Sequence, residues 1–221
     1  MSIVEHYPRL AQVARYAQEH IQASAQQAGD KFPFGGAPYR WQHTLRVTHF
    51  GQQIAEVEGA DIELVLAACL LHDSEWFSDL SEGGESAAHG RLAAGHIRPF
   101  LAQAGYSPAE VDNICYSVAV HVDGKAGYAH EHTLEARVVS DADNVDRFGA
   151  YRVLLWCVDD MNDYDALIAK LTARVQRLQG YRTRQIMETD YGNHLFNAKL
   201  DLQIDFFQKL IAEHAITRPL E

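Results

Sequence analysis

Hydrophobic positions recur along most of the chain at three- and four-residue intervals, the period of a helix packed on one face. No stretch alternates apolar and polar residues as a half-buried strand would. The spacing predicts a first helix from about Ile3 to Ala28, ending at Gly29, and a second from about Tyr39 to Glu58, stopped by Gly59. Between them, the Gly/Pro-rich segment KFPFGGAP is the one strong candidate for a hinge. Asp61 caps a third helix that ends near Asp73, and SEWFSDLSEGGES reads as a loop with a Gly-Gly break. A helix resumes near Ser86 and closes at Gly105. Ser107, Pro108 and Glu110 form a capping box with Pro at the first helical position, opening a helix to about Val122. Beyond the loop DGKAGYAHEH, a helix from Thr133 runs through DADNVDRFGAYRVLLW with a bend near Gly149. Amphipathic helices near Tyr164–Gln179 and Asn193–His214 complete the chain. The expectation is therefore all-α: a single-domain helical bundle over residues 1–221. Its core spans about 39–155, and the N-terminal helix 3–28 and C-terminal helices 164–214 pack on it.

Composition narrows the functional classes. Of 221 residues, 47% are apolar and 22% charged, enough to bury a full core. No apolar run approaches the roughly 18 residues of a membrane span. The charged, helix-patterned N-terminal segment has no apolar stretch of the signal-peptide kind. Cys69, Cys115 and Cys157 sit scattered in apolar contexts, which fits a reducing cytoplasm better than a disulfide framework. Nineteen Lys plus Arg against 30 Asp plus Glu leave a formal charge of −11. That balance weighs against nucleic acid or an anionic membrane as the main partner. It leaves room for a small phosphorylated molecule held by a local cation, and for a homodimer.

The chemistry lies where polar residues interrupt apolar stripes. LVLAACLLHDSEWF, residues 64–77, ends an apolar run in His72–Asp73, although a buried carboxylate needs a counter-charge or a metal. His72 closes the stripe Val65, Cys69, His72, and His121 closes Ile114, Val118, His121 at the same spacing. His43 opens His43, Val47, Phe50, Ile54, and Asp143 closes Ala136, Val139, Asp143. A single inward histidine is ordinarily a satisfied core residue. Separate helices each pointing a His or Asp inward are hard to attribute to packing. Imidazoles and carboxylates on facing helices are a ligand set for Mn²⁺, Fe²⁺, Co²⁺, Ni²⁺ or Zn²⁺. His43, His72, Asp73 and Asp143 supply four protein ligands and leave positions for water or substrate.

The ordered set His43, His72–Asp73 and Asp143 resembles the signature of the HD-domain superfamily of metal-dependent phosphohydrolases. The flanks WQHTLRV, LAACLLHDSEW and LEARVVSDADNVDRFGA are most similar to the YedJ/YpgQ-like bacterial subgroup, over roughly residues 39–155. The resemblance implies an all-helical fold, a divalent metal (Mg²⁺ among the candidates) and hydrolysis of phosphate esters or nucleoside phosphates. Ser74–Glu75–Trp76 after the pair, and Asn144 in DADNVD, depart from the subgroup's pattern and place any change of substrate there.

Further roles are less sharply drawn by the sequence. Asp141 competes with Asp143 as the last ligand, or lies in a supporting position or on a solvated face. Asp146, three residues after Asp143, either orients a ligand or sits at the surface. His89 and His121 lie between the pair and the last Asp, where dinuclear members of the superfamily add histidines. Each is a second-metal ligand or a proton-transfer group, and His96 shares a face with His89. Arg46 suits a phosphate, with a salt bridge to Glu75 as the alternative; Lys125 in its loop is a second phosphate candidate. Glu75, with His121, is the candidate for proton transfer. Trp76 and Phe77 suit core packing more than stacking on a base, and His130, His132, His194 and His214 read as surface. The expected activity is hydrolysis of a small phosphorylated substrate, a nucleotide by preference, through metal-activated water. The alternatives are a dinuclear iron oxygenase of the HD type and a non-catalytic metal- or ligand-sensing module.

Overall fold

A computed structural model describes residues 6–28, 36–81, 88–158 and 162–217, and every regular element among them is helical. In chain order they are α1 (Arg9–Ala28), α2 (Gly36–Glu58), α3 (Ile62–Leu71), α4 (Trp76–Ser81) and α5 (His89–Gln103). There follow α6 (Pro108–Val120), α7 (Leu134–Arg147), α8 (Ala150–Val158), α9 (Tyr164–Tyr181) and α10 (Asp190–Ala215). The backbone divides into two compact units, residues 1–146 and 147–221.

In the first unit α3 is the central element. All of Leu64–Leu71 is buried, so this helix is apolar all round and is covered by α1, α2 and α6. Asp61 caps it, accepting from the Leu64 amide at 3.1 Å. The antiparallel pairing of α5 with α6 is close because Gly105 turns the chain with φ +87° between them. The Ser107–Glu110 capping box is formed in both directions. Arg9 ties three elements together, gripping Glu63 through two 2.8 Å contacts and Glu110 at 3.0 Å. Its guanidinium also lies 3.9 Å from the Tyr106 ring.

In the second unit α9 and α10 pack along their lengths through Leu171, Leu178, Phe196, Leu200 and Phe207. Phe148 meets Phe196 edge-on at 4.7 Å, and Gln203 donates to the Phe148 carbonyl.

Several boundaries differ from the sequence expectation. Trp76–Ser81 is helical rather than loop, because Trp76 and Phe77 pack with Ile21 and Ala28 and so anchor a short turn of helix. The bend near Gly149 is a break between α7 and α8. Helix α5 begins at His89 rather than Ser86, and the Gly-Gly loop, Gly29 and most of KFPFGGAP lie outside the described residues. So does the expected start at Ile3.

Candidate metal centre

Three of the candidate histidines are oriented by the same device. His72 caps the C-terminus of α3, and its Nδ1 donates to the Cys69 carbonyl at 2.7 Å. His121 caps the C-terminus of α6 and donates in the same way to the Val118 carbonyl at 2.7 Å. A carbonyl only accepts, so Nδ1 carries the proton in both rings. His43 on α2 donates from Nδ1 to Asp146 Oδ2 at 2.7 Å, and Arg46 grips that same carboxylate at 2.6 and 3.1 Å. With each Nδ1 committed, each Nε2 is left to carry a second proton or to offer its lone pair to a metal.

Those Nε2 atoms converge. His43 Nε2 lies 3.3 Å from His72 Nε2, 3.3 Å from Asp73 Oδ2 and 3.3 Å from Asp143 Oδ1. The other Asp73 oxygen, Oδ1, faces His89 Nε2 at 3.0 Å and His121 Nε2 at 3.8 Å, and these two nitrogens are 3.2 Å apart. All of these side chains are buried. Two ligand sets result, His43–His72–Asp143 and His72–Asp73–His121, each with its donor atoms within 4.8 Å of one another. His72 belongs to both, and the Asp73 carboxylate turns one oxygen toward each.

The electrostatics call for a cation. Burial opposes charge on His43, but the hydrogen bonds it donates to Asp143, Asp146 and Asp73 outweigh that effect and raise its pKa to about 10. Burial likewise favours neutral Asp73, yet positive charge at His72 and Arg40 and hydrogen bonds from His121 and His43 hold it well below the carboxylate range. The proton held on His43 answers part of the negative charge of these carboxylates. Nitrogen and carboxylate donors converging in this way fit a divalent cation, which would take over that role.

The remaining candidates fall as follows. Asp143 lies 3.3 Å from His43 Nε2; Asp141 is 1% exposed, so the solvated face considered for it is not where it lies. Asp146 is buried too, not at the surface, and is held below the usual carboxylate range because His43 and Arg46 outweigh its burial. Arg46 pairs with Asp146, not Glu75. Glu75 is buried and accepts from His96 Nδ1 at 2.9 Å. Lys125 is exposed on its loop, where its amide donates to Asp123 and its carbonyl accepts from Arg91. Trp76 packs in an apolar cluster and carries a guanidinium on its face, that of Arg40, at 3.8 Å from the ring centroid. Arg40 escaped the sequence reading. It donates from Nη1 to Asp73 Oδ2 at 2.5 Å, and its position three residues before His43, on the same face of α2, was the available signal.

No curated protein matches the chain. Among solved structures, a predicted HD superfamily hydrolase from an uncultured Thermotogales bacterium superposes with TM-score 0.65 at 19% identity, over 96% of this chain and 99% of that one. Bacillus subtilis YpgQ in complex with ADP superposes with TM-score 0.56 at 18% identity, over 89% and 97%. An HD-superfamily hydrolase from Bacillus thuringiensis gives 0.55 at 16% identity, over 91% and 100%. At these identities the likeness is one of fold. The chain carries a match to the HD domain over residues 40–147, a span that contains His43, His72–Asp73 and Asp143 in order.

Proposed function

We propose that the chain is a metal-dependent phosphohydrolase acting on a small phosphorylated molecule, a nucleotide by preference. The observation that carries this reading is the convergence of buried imidazole nitrogens and carboxylate oxygens from four segments of one unit, with each Nδ1 of His43, His72 and His121 already committed. A solved relative in fold, YpgQ, holds ADP, which supports a nucleotide. A divalent cation (Mn²⁺, Fe²⁺, Co²⁺, Ni²⁺, Zn²⁺ or Mg²⁺) would be held by His43, His72, Asp73 and Asp143 and would supply water activation and polarisation of a phosphoryl oxygen.

The chain's own residues do the rest. Asp146, fixed by Arg46, holds the His43 ring in its ligating tautomer. Glu75 and His96 join a buried carboxylate to a ring whose side chain is 62% exposed, a route for a proton to solvent. The net charge of −11 directs the reading toward a metal-held small molecule rather than nucleic acid, and the free thiols Cys69 and Cys115 toward a cytoplasmic location.

The test is a panel of nucleoside mono-, di- and triphosphates assayed for phosphate release with Mn²⁺, Mg²⁺, Co²⁺ and Ni²⁺. Turnover by the parent chain, lost in His72→Ala with helical circular dichroism intact, is the expected result. Silence across the panel overturns the reading and favours a sensing module.

A second reading, a dinuclear iron oxygenase, is favoured by one observation: His89 and His121 both face the Asp73 oxygen turned away from His43. It requires close to two irons per chain and substrate-dependent oxygen uptake.

A further inference from the structure

We propose that Arg40 is the residue that receives the substrate's phosphate. This rests on the phosphohydrolase reading and names the residue that reading lacks. Both cations expected from the sequence are poorly placed for the task. Arg46 spends its fork on Asp146, through Nε to one oxygen and Nη2 to the other. Lys125 stands on an exposed loop.

Arg40 differs in three respects. It is attached to the site itself, because its Nη1 donates to the same Asp73 oxygen that faces His43 and His72. It is also pre-positioned, with its guanidinium 3.8 Å from the Trp76 ring centroid, and Trp76 is packed against Ile21, Ala28 and Phe77. A guanidinium so stacked loses little freedom when it makes a further hydrogen bond. Third, it has donors to spare. A guanidinium carries five N–H bonds; the Arg40 Nε is buried and has no hydrogen-bond partner among the described residues. A buried donor left unmade costs about 1–3 kcal/mol, so the site gains by admitting an acceptor.

Charge points the same way. Asp73, Asp143 and Asp146 crowd the centre, and an incoming phosphate is repelled by all of them. Arg40 lies against Asp73 with 15% of its side chain still open to solvent, so it can bridge that carboxylate and a phosphate oxygen at once. Trp76 then acts as the platform for the anion-binding cation rather than as a surface for a base.

The test measures binding rather than turnover. ADP and inorganic pyrophosphate are titrated into the Mn²⁺-loaded full chain by calorimetry, for the parent and for Arg40→Met, Arg40→Lys and, as a control, Arg98→Met. Arg98 is an exposed residue paired with Asp112. Arg40→Met is expected to raise both dissociation constants at least tenfold, Arg40→Lys to recover part of that loss, and Arg98→Met to change neither. Manganese stoichiometry and helical circular dichroism stay at parental values in every variant. Parental affinity in Arg40→Met overturns the proposal, as does loss of manganese in step with loss of ADP, which would make Arg40 only a holder of Asp73. If the parent chain binds neither probe, the phosphohydrolase reading falls first and takes this proposal with it.

Discussion

Gly90 lies against His121 so closely that a Cβ added to Gly90 would meet its Nδ1 at 3.0 Å and the Val118 carbonyl at 2.7 Å. The absent side chain is what lets α5 approach α6 and bring His89 beside His121. Gly90→Ala must push backbone or ring aside and is expected to cost about 1–3 kcal/mol. Gly95, on the same helix, has open space where a Cβ would stand, with nothing within 4 Å. Gly95→Ala should therefore stabilise by up to about 1 kcal/mol through helix propensity. Denaturant unfolding of the two variants checks both signs, and metal analysis of Gly90→Ala should show impaired binding at the His89–His121 side.

Asp146 acts on the metal through His43, so Asp146→Ala should weaken metal affinity by about 10- to 100-fold while helix content persists. Asp146→Asn keeps an acceptor for Nδ1 but loses the charge that Arg46 grips, and should fall between parent and Ala. Competition with a chromogenic chelator ranks the three.

The metal-free protein should become less stable at alkaline pH. His43 has a pKa raised from 6.5 to about 10 by Asp143, Asp146 and Asp73 against the opposing effect of burial. A raised pKa means that the folded state binds the proton more tightly, so this stability is fully present below pH 6.5 and lost as pH rises through 10. Thermal melts across that window should slope downward without metal. Saturating Mn²⁺ should flatten the slope, because the cation displaces the proton, and calorimetric metal titrations should show proton release in buffers of different ionisation enthalpy.

On the acid side Glu110 is the group to watch. Hydrogen bonds from Arg9, then from Ser107, lower its pKa from 4.5 to about 2. Its contribution is present above pH 4.5 and is lost as pH falls through 2. Ser107→Ala removes one half of the capping box and should cost about 1 kcal/mol in urea unfolding with metal content unchanged.

The legible parts of this protein were those written in local sequence. His72–Asp73 stood out because eight apolar residues precede it, and Ser107–Glu110 because a capping box is a four-residue pattern. The stripes placed His43, His121 and Asp143 on inward faces, where the structure brings them together. Arg40 was missed because its partners, Asp73 and Trp76, lie on other elements, and nothing local says which way a long side chain folds. Asp141 shows the weakness of a stripe argument in a helix buried on several sides: two residues from Asp143, it is buried all the same. The helix at Trp76–Ser81 was hidden by its Ser and Asp content, which favours loops until two aromatic rings find a core.

Because His72 and His121 hang from carbonyls of their own helices, the direction of each ring is set by where that helix stops. Helix length thus acts as an angular ruler. One residue inserted within α3 would turn His72 by about 100° about the helix axis, whereas added residues in the exposed loop after His121 would turn nothing. Insertion scanning of this chain should therefore find its site intolerant of single-residue length changes in α3 and α6 at positions far from any ligand, and indifferent to length in the loop between Asp123 and Glu131.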